Sequence, residues 1–460
     1  MIRIAAGSGF WGDWPQAPAL QVRSGPIDYL VLDYLAEVTT AILDKLHRRD
    51  SAAGYAHDFV RDLGELLPEI ADRGIRVIAS AGGVNPRGCA AALLRKARQV
   101  GVSGIGVGVV EGSDVLDQVR EATRSGVGES GGVVPLDPDG PALADIARRL
   151  TSAHAYLGAD PVVEALELGA QVVVTGRTTD ASLALAPILH EFEVAPDDWD
   201  ARALGTVVGH LLECGAQASG GNFLGDWRSV PDPARIGLPI AELSGPGRAV
   251  ITKHESLGGL VNAATVKEQL VYEIADPRSY ATADCITDFT TIRLTDEGQD
   301  RVGIRGVRGK PPPAGLKVTC VYAAGWKVTG ELTYAWPEAR AKARAAGRLV
   351  RDRTEARVGE AFDEWMVEHV GAGALFGALD GPEAGDVATE PDEVVLRVAA
   401  RSRDRAACEW LGRELVGLVL TGPPGATGYA AGRPRAREVS GIWSCLLPSA
   451  LVRPRVAVLD

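Results

Sequence analysis

The sequence predicts an α/β fold: a parallel sheet flanked by helices, a β-rich second lobe and a small C-terminal α+β domain. Three observations predict it. Short, near-continuous apolar runs alternate with helix-like segments through residues 1–235, as strands buried on both faces require. From Ile236 to Tyr334 the pattern changes to β-rich runs separated by turn residues, and with the charged helical stretch Glu338–Val370 it forms the second lobe, 236–385. Residues 386–460, beyond most of the polar linker Gly377–Glu393, hold strand, helix, Gly/Pro loop and strand, enough for a small α+β unit.

The elements follow in order. Ile2–Ala6 and Tyr29–Tyr34 read as strands, the latter followed by a helical "LAEVTTAILDKL". His57–Arg73 has apolar residues at helical spacing. Ile75–Ser80 is a third strand, Gly88–Val100 an Ala/Leu-rich helix, Ile105–Val110 a fourth strand and Asp114–Arg124 a helix. Gly126–Gly140 is rich in Gly and Pro and reads as a long loop of the kind that forms a lid. Pro161–Leu168 is a helix, with Asp160 as its cap, Pro161 at its first position and Gly169 ending it. Val172–Thr175 is the fifth strand and Ala181–His190 its helix.

Composition narrows the function. The chain has 460 residues and a formal net charge of −12, which argues against a nucleic-acid partner. The six cysteines form no C-x-x-C pair and read as reduced thiols of a cytoplasmic protein. Cys89, at a helix start, reads as a small buried residue. "MIRIAAGSGF" lacks the layout of a signal peptide, and no apolar stretch is long enough to span a bilayer, so no membrane partner is expected. A homo-oligomer is expected on the general habit of soluble proteins.

In an open parallel sheet, ligands bind beyond the carboxyl ends of the strands. There the sequence places "GSGFWGD" with Gly9 and Asp13, then Asp33 with Glu37 just beyond. Next come "AGGVNPRG" with Gly82, Gly83, Asn85 and Arg87, then "EGSD", then "GRTTD" with Arg177 and Asp180. Glycines admit close backbone approach, helix starts attract anions, and arginines recognise carboxylate or phosphate. Asn85 and Asp180 are also ordinary helix caps, so the reading rests on the loops together. "GSGFWG" matches a dinucleotide fingerprint, with Asp33 near the acidic position, but Pro15 and Pro18 stand where the helix should begin.

A further constellation is "GTVVGHLLECGAQASGGNF", where His210, Glu213 and Gln217 fall on one helical face before Gly220, Gly221 and Asn222. His210 and Glu213 suit an acid/base pair; a metal reading lacks a third ligand, so no metal is expected. Gly205 and Gly209 form a smooth stripe for another backbone. His254 precedes Gly258-Gly259, a candidate anion nest, and Lys267 and Glu268 sit on a helix as solvated charges. There is no G-x-S-x-G elbow, P-loop or H-E-x-x-H.

Taken together, "DYLVLDYLAE", "AGGVNPRGCA", "AYLGADPVVEAL", "VVVTGRTTDASLALAP", "GHLLECGAQASGGNF", "TKHESLGGLVNAATVKEQLVYEIADPRSY" and "LKVT" resemble the acyclic terpene utilisation (AtuA) family. "SGIWSCLLPSALVRPRVAVL" resembles the small C-terminal domain that often follows in it. The resemblance implies catabolism of branched, terpenoid acids as CoA thioesters, and it transfers no catalytic residues.

The expectation is therefore an enzyme acting on an activated carboxylic acid, an acyl-CoA or related thioester, by hydration, dehydration or C–C lysis. Glu37, Asp180, His210 and Glu213 are the acid/base candidates. Gly9, Asp13, Asp33, Gly82, Gly83, Asn85, Arg87, Arg177, Gln217, Gly220, Gly221 and Asn222 are the binding candidates, with loop N–H groups near Gly82-Gly83 or Gly220-Gly221 for an oxyanion. No cofactor is expected beyond a CoA thioester as substrate. Three alternatives stand beside it: an NAD(P)-dependent oxidoreductase using "GSGFWG", a non-catalytic subunit of an acyl-CoA-processing complex, and a tailoring enzyme of specialised metabolism.

Overall fold

The computed structural model describes residues 1–124, 132–375, 391–428 and 432–460. The five expected strands form the centre of a ten-stranded mixed sheet. Ile2–Ser8, Tyr29–Leu32, Arg76–Ala79, Val172–Thr175 and Val107–Glu111 lie side by side in that order, all parallel. The Val172–Thr175 strand is thus central, inserted between the third and fourth strands of the chain. Ile240–Leu243 pairs antiparallel with Ile2–Ser8, and Ala249–Thr252, Val302–Arg305 and Arg293–Asp296 extend that edge. Arg455–Leu459 closes the other edge, antiparallel to Val107–Glu111.

Two compact units emerge, and their borders are not those the composition shifts suggest. One holds residues 1–321 and 442–460, the other 322–441. The strands between Ile236 and Lys310 lie in the first unit and do not build a separate lobe. Ile240–Leu243 and Ala249–Thr252 are buried like the parallel strands and belong to the same sheet. The C-terminal residues do not form one unit either: Glu393–Ser402 and the helix Arg405–Thr421 lie in the second, Arg455–Leu459 in the first.

In the second unit, Glu393–Ser402 pairs antiparallel with Trp326–Ala335 and with Glu364–Val370. Leu332, Val350, Leu396 and Leu415 share its core with the helix Ala339–Val358. The predicted helix to Val370 therefore stops early. Gly359 takes φ +63° and "EWMVEHV" continues as a strand. The linker Gly377–Glu393 lies mostly outside the described residues, as does part of the expected lid; within the rest of the latter, Val134–Pro135 is a short strand pairing with Cys445 and Leu446.

The helices Glu37–Arg49, His57–Asp72, Pro86–Gln99, Asp160–Glu167, Ser182–Glu191 and Trp199–Glu213 match expectation within a few residues, save their caps. Asp160 does not cap its helix; it lies inside it and accepts from Arg202 at 2.9 Å. Gly209 carries the predicted close approach, since a Cβ there would lie 2.2 Å from the Ala181 carbonyl oxygen. The Trp199–Glu213 helix can therefore sit directly on the segment that follows Asp180.

Candidate functional site

The site starts at Gly176, where the central strand ends. A Cβ there would meet the Ser113 hydroxyl at 2.9 Å and the Gly83 carbonyl at 3.2 Å, so only glycine fits without a shift. Arg177 then turns inward and is 2% exposed. Its backbone is pinned on both sides. The Leu157 N–H donates to the Arg177 carbonyl at 3.3 Å, and the Thr179 N–H donates to the Leu157 carbonyl at 2.8 Å. The guanidinium lies over the Tyr156 ring, 3.9 Å from its centroid, and Nη2 is 3.0 Å from Asp180 Oδ1. Nε and Nη1 have no hydrogen-bond partner among the described residues. Buried donors left unpaired cost free energy, so Arg177 keeps hydrogen-bonding capacity that no described residue uses.

Three carboxyl groups, Asp33, Asp180 and Glu37, act on this cation, and Glu213 acts on Asp180 and Asp33 from beyond them. Asp33 accepts from the Ser80 hydroxyl at 2.7 Å and the Leu35 N–H at 3.0 Å. Burial raises its carboxyl above the ordinary range, while Arg177 pulls it back. Asp180 is pushed up to about 7 by burial, against the pull of Arg177, with Asp33 and Glu37 adding to the rise. Its side chain is still 37% exposed, so a substrate can reach it. Glu37 goes the other way. Burial would raise it, but the Tyr156 hydroxyl at 2.5 Å and the Lys317 ammonium at 2.9 Å hold it down at about 2. Glu213 is raised by burial and lowered by His210. Environments that push neighbouring carboxyls apart separate proton carriers from fixed charges. Here Asp180 can carry a proton near neutral pH, and Glu37 is a fixed anion.

Both ring nitrogens of His210 are taken. Its Nδ1 is 2.8 Å from Glu213 Oε1 and its Nε2 is 2.8 Å from the Gln269 carbonyl. Burial lowers its pKa, but Glu213 and the carbonyl raise it overall; the carbonyl can only accept, so Nε2 donates to it. With both nitrogens engaged it positions Glu213 and is not free to transfer a proton. Gln217 lies beyond the helix, which stops at Glu213 before Gly215 takes φ +58°. It bonds Gln269 and accepts from Asn222 at 3.1 Å. His210→Ala would leave the Gln269 carbonyl and Glu213 unpaired; a loss of about 3 kcal/mol in denaturant unfolding is expected.

Several other candidates serve the scaffold. Asn85 Oδ1 accepts from the Gly88 N–H at 2.9 Å, and its amide donates to Ala53 at 3.0 Å. Arg87 pairs with Glu111 at 2.7 Å on an exposed face and does not reach Arg177's ring of acids. The N–H groups of Gly83, Gly220 and Gly221 already bond Ser80, Gln217 and Ala216, so they do not form an oxyanion site. Gly82 is buried, and a Cβ there would meet the Thr175 carbonyl at 2.5 Å. Asp13 accepts from the Gly9 N–H at 2.8 Å, and a Cβ on Gly9 would meet the Gly215 nitrogen at 2.7 Å. This loop packs on the end of the Trp199–Glu213 helix, and the next helix begins only at Ala17, so the helix a dinucleotide fingerprint needs does not follow it. The Gly258 and Gly259 N–H groups bond Arg235 and Pro231, so no open nest exists there. Cys89 is fully buried and burial raises its thiol, which keeps it protonated.

Sequence reasoning missed three residues. Tyr156 supplies the face under Arg177, Lys317 fixes Glu37, and Ser80 orients Asp33. Lys317 had a visible signal, a single cation in the otherwise apolar run "GLKVTCVYA". Tyr156 N–H donates to the Lys317 carbonyl at 2.9 Å, so both arrive through one strand pairing. Among the described residues no cluster of three or more His, Cys, Asp or Glu is placed to hold a metal ion, and no helix is long and apolar enough to cross a membrane.

A family model described as "Acyclic terpene utilisation family protein AtuA" matches residues 2–458. No curated protein and no solved structure matches the chain.

Proposed function

Because this chain belongs to the acyclic terpene utilisation (AtuA) family over nearly its whole length, we propose that it is an enzyme acting on an activated carboxylic acid, an acyl thioester, by adding or removing water next to the carbonyl. One observation carries the reading: a buried arginine with two unpartnered nitrogens beside a carboxyl poised near neutrality.

In the dehydration direction, the thioester carbonyl oxygen accepts from Arg177. Asp180 takes the proton from the carbon next to the carbonyl, and the electron pair moves onto the oxygen that Arg177 stabilises. Collapse of this enolate forms the double bond and expels the hydroxyl group, which takes the proton back from Asp180 and leaves as water. Hydration runs the same steps backwards. A fixed, buried cation stabilises a developing oxyanion without having to reorganise. Glu37, held ionised by Lys317 and Tyr156, keeps the Tyr156 ring under the guanidinium.

The purified chain is to be assayed against a panel of enoyl and 3-hydroxyacyl thioesters by absorbance of the conjugated double bond. Turnover of at least one branched member is expected. Inactivity on every member, with co-purification of an acyl-CoA carboxylase, would replace this reading with a non-catalytic subunit.

A further inference from the structure

A cavity of about 630 Å³ lies in the first unit against the helix Ala263–Val271 and the paired edge strands Arg293–Asp296 and Val302–Arg305. Its wall is apolar: Leu270, Val271, Ile274, Phe289, Ile292 and Leu294. Val271, 72% exposed, continues this apolar lining out to the surface. The rim is cationic, from Lys267, Arg293 and Arg305.

Arg293 and Arg305 are directly opposite each other on the antiparallel pair. Like charges in that position are destabilising. None of the three cations has a carboxylate partner among the described residues. The acids nearby are engaged elsewhere: Glu297 pairs with Arg248, Asp300 with Lys253, and Asp296 accepts from the Ala263 N–H at 3.0 Å. In a chain of net charge −12, three unpaired cations around one apolar cavity are not background.

We propose that this cavity binds a soluble amphipathic anion, an apolar chain carrying a phosphate headgroup, with the chain along Leu270 and Phe289 and the phosphate between Arg293 and Arg305. The headgroup relieves the repulsion between the arginines and forms charge-assisted hydrogen bonds with both. Phe289 stands edge-on to His210 at 5.6 Å between ring centroids, so the bound chain backs onto the group that positions Glu213. The site goes beyond the proposed reaction, and its test needs no turnover.

The test is isothermal calorimetry of the full chain with decyl phosphate below its micelle concentration, beside decanol, inorganic phosphate and anionic lipid vesicles. Decyl phosphate is expected to bind, with decanol and inorganic phosphate at least about tenfold weaker. The paired substitution Arg293→Gln with Arg305→Gln should weaken decyl phosphate at least about tenfold. Because it removes a like-charge contact, it should leave the melting temperature without ligand unchanged or raised, which separates lost binding from lost folding. Binding that survives the paired substitution, equal binding of decanol, no binding of decyl phosphate, or binding to vesicles alone would overturn the proposal.

Discussion

Arg177→Ala is expected to lower turnover on a thioester substrate by about 10³-fold or more while the protein stays folded. Loss of one oxyanion donor already costs about 10²–10³ in rate, and this substitution removes the whole cation. Folding should survive because the surrounding acids need not stay charged. Burial already raises Asp33 and Asp180, and without the guanidinium they take up protons instead of remaining as unpaired buried anions. Far-UV circular dichroism should match the parent. Arg177→Lys should rescue little, because one ammonium cannot stack flat on Tyr156 and offer two donors in a fixed fork. Full activity in the alanine variant would remove Arg177 from the mechanism.

Asp180→Asn should cost about 10²–10⁴-fold in turnover, the range for losing a positioned proton carrier. Acting as the base in dehydration, Asp180 must be ionised, so kcat/KM of the parent should rise with pH through about 7 and then level off. The variant should lose that step. Stability should move the opposite way. Asp180's folded pKa lies above its unfolded value of 3.8, so the fold favours the protonated form. The stability this gives is fully present below the unfolded value and is lost as pH rises through about 7. Asn mimics the neutral form at every pH. The variant should therefore melt higher than the parent at about pH 8, and show no gain at about pH 4. The partial exposure of Asp180 keeps the gain to a few degrees. An unchanged pH profile would show that another group carries the proton.

Much of this site was legible because its parts are local. A run such as "VVVTGRTTDASL" states its strand, its glycine turn and its helix within a dozen residues, and a parallel sheet brings strand ends to one edge. Asp33 and Arg177 meet there as expected. What was not legible depends on pairing between distant segments. The place of Val172–Thr175 between Arg76–Ala79 and Val107–Glu111 is set by packing, and nothing in the run itself encodes its neighbours. Tyr156 reaches Arg177 only because its strand pairs with the one carrying Lys317. Ile240–Leu243 falls in a stretch that reads as β-rich, but a short apolar strand does not announce which sheet it joins. His210 and Glu213 were rightly placed one turn apart, yet the helix face did not reveal that the Gln269 carbonyl closes the second ring nitrogen. Asn85 and Arg87 had plausible chemistry, and local partners in the scaffold took it up.

The central claim is that Asp180 removes a proton beside a carbonyl whose oxygen Arg177 holds. The most direct measurement is proton NMR of a saturated acyl thioester in deuterated buffer, following loss of the signal from the carbon next to the carbonyl. The parent should exchange that proton for deuterium, and Asp180→Asn and Arg177→Ala should both fall to the rate without protein. Equal exchange by the parent and both variants, or none by a parent that still turns over its substrate, would contradict it.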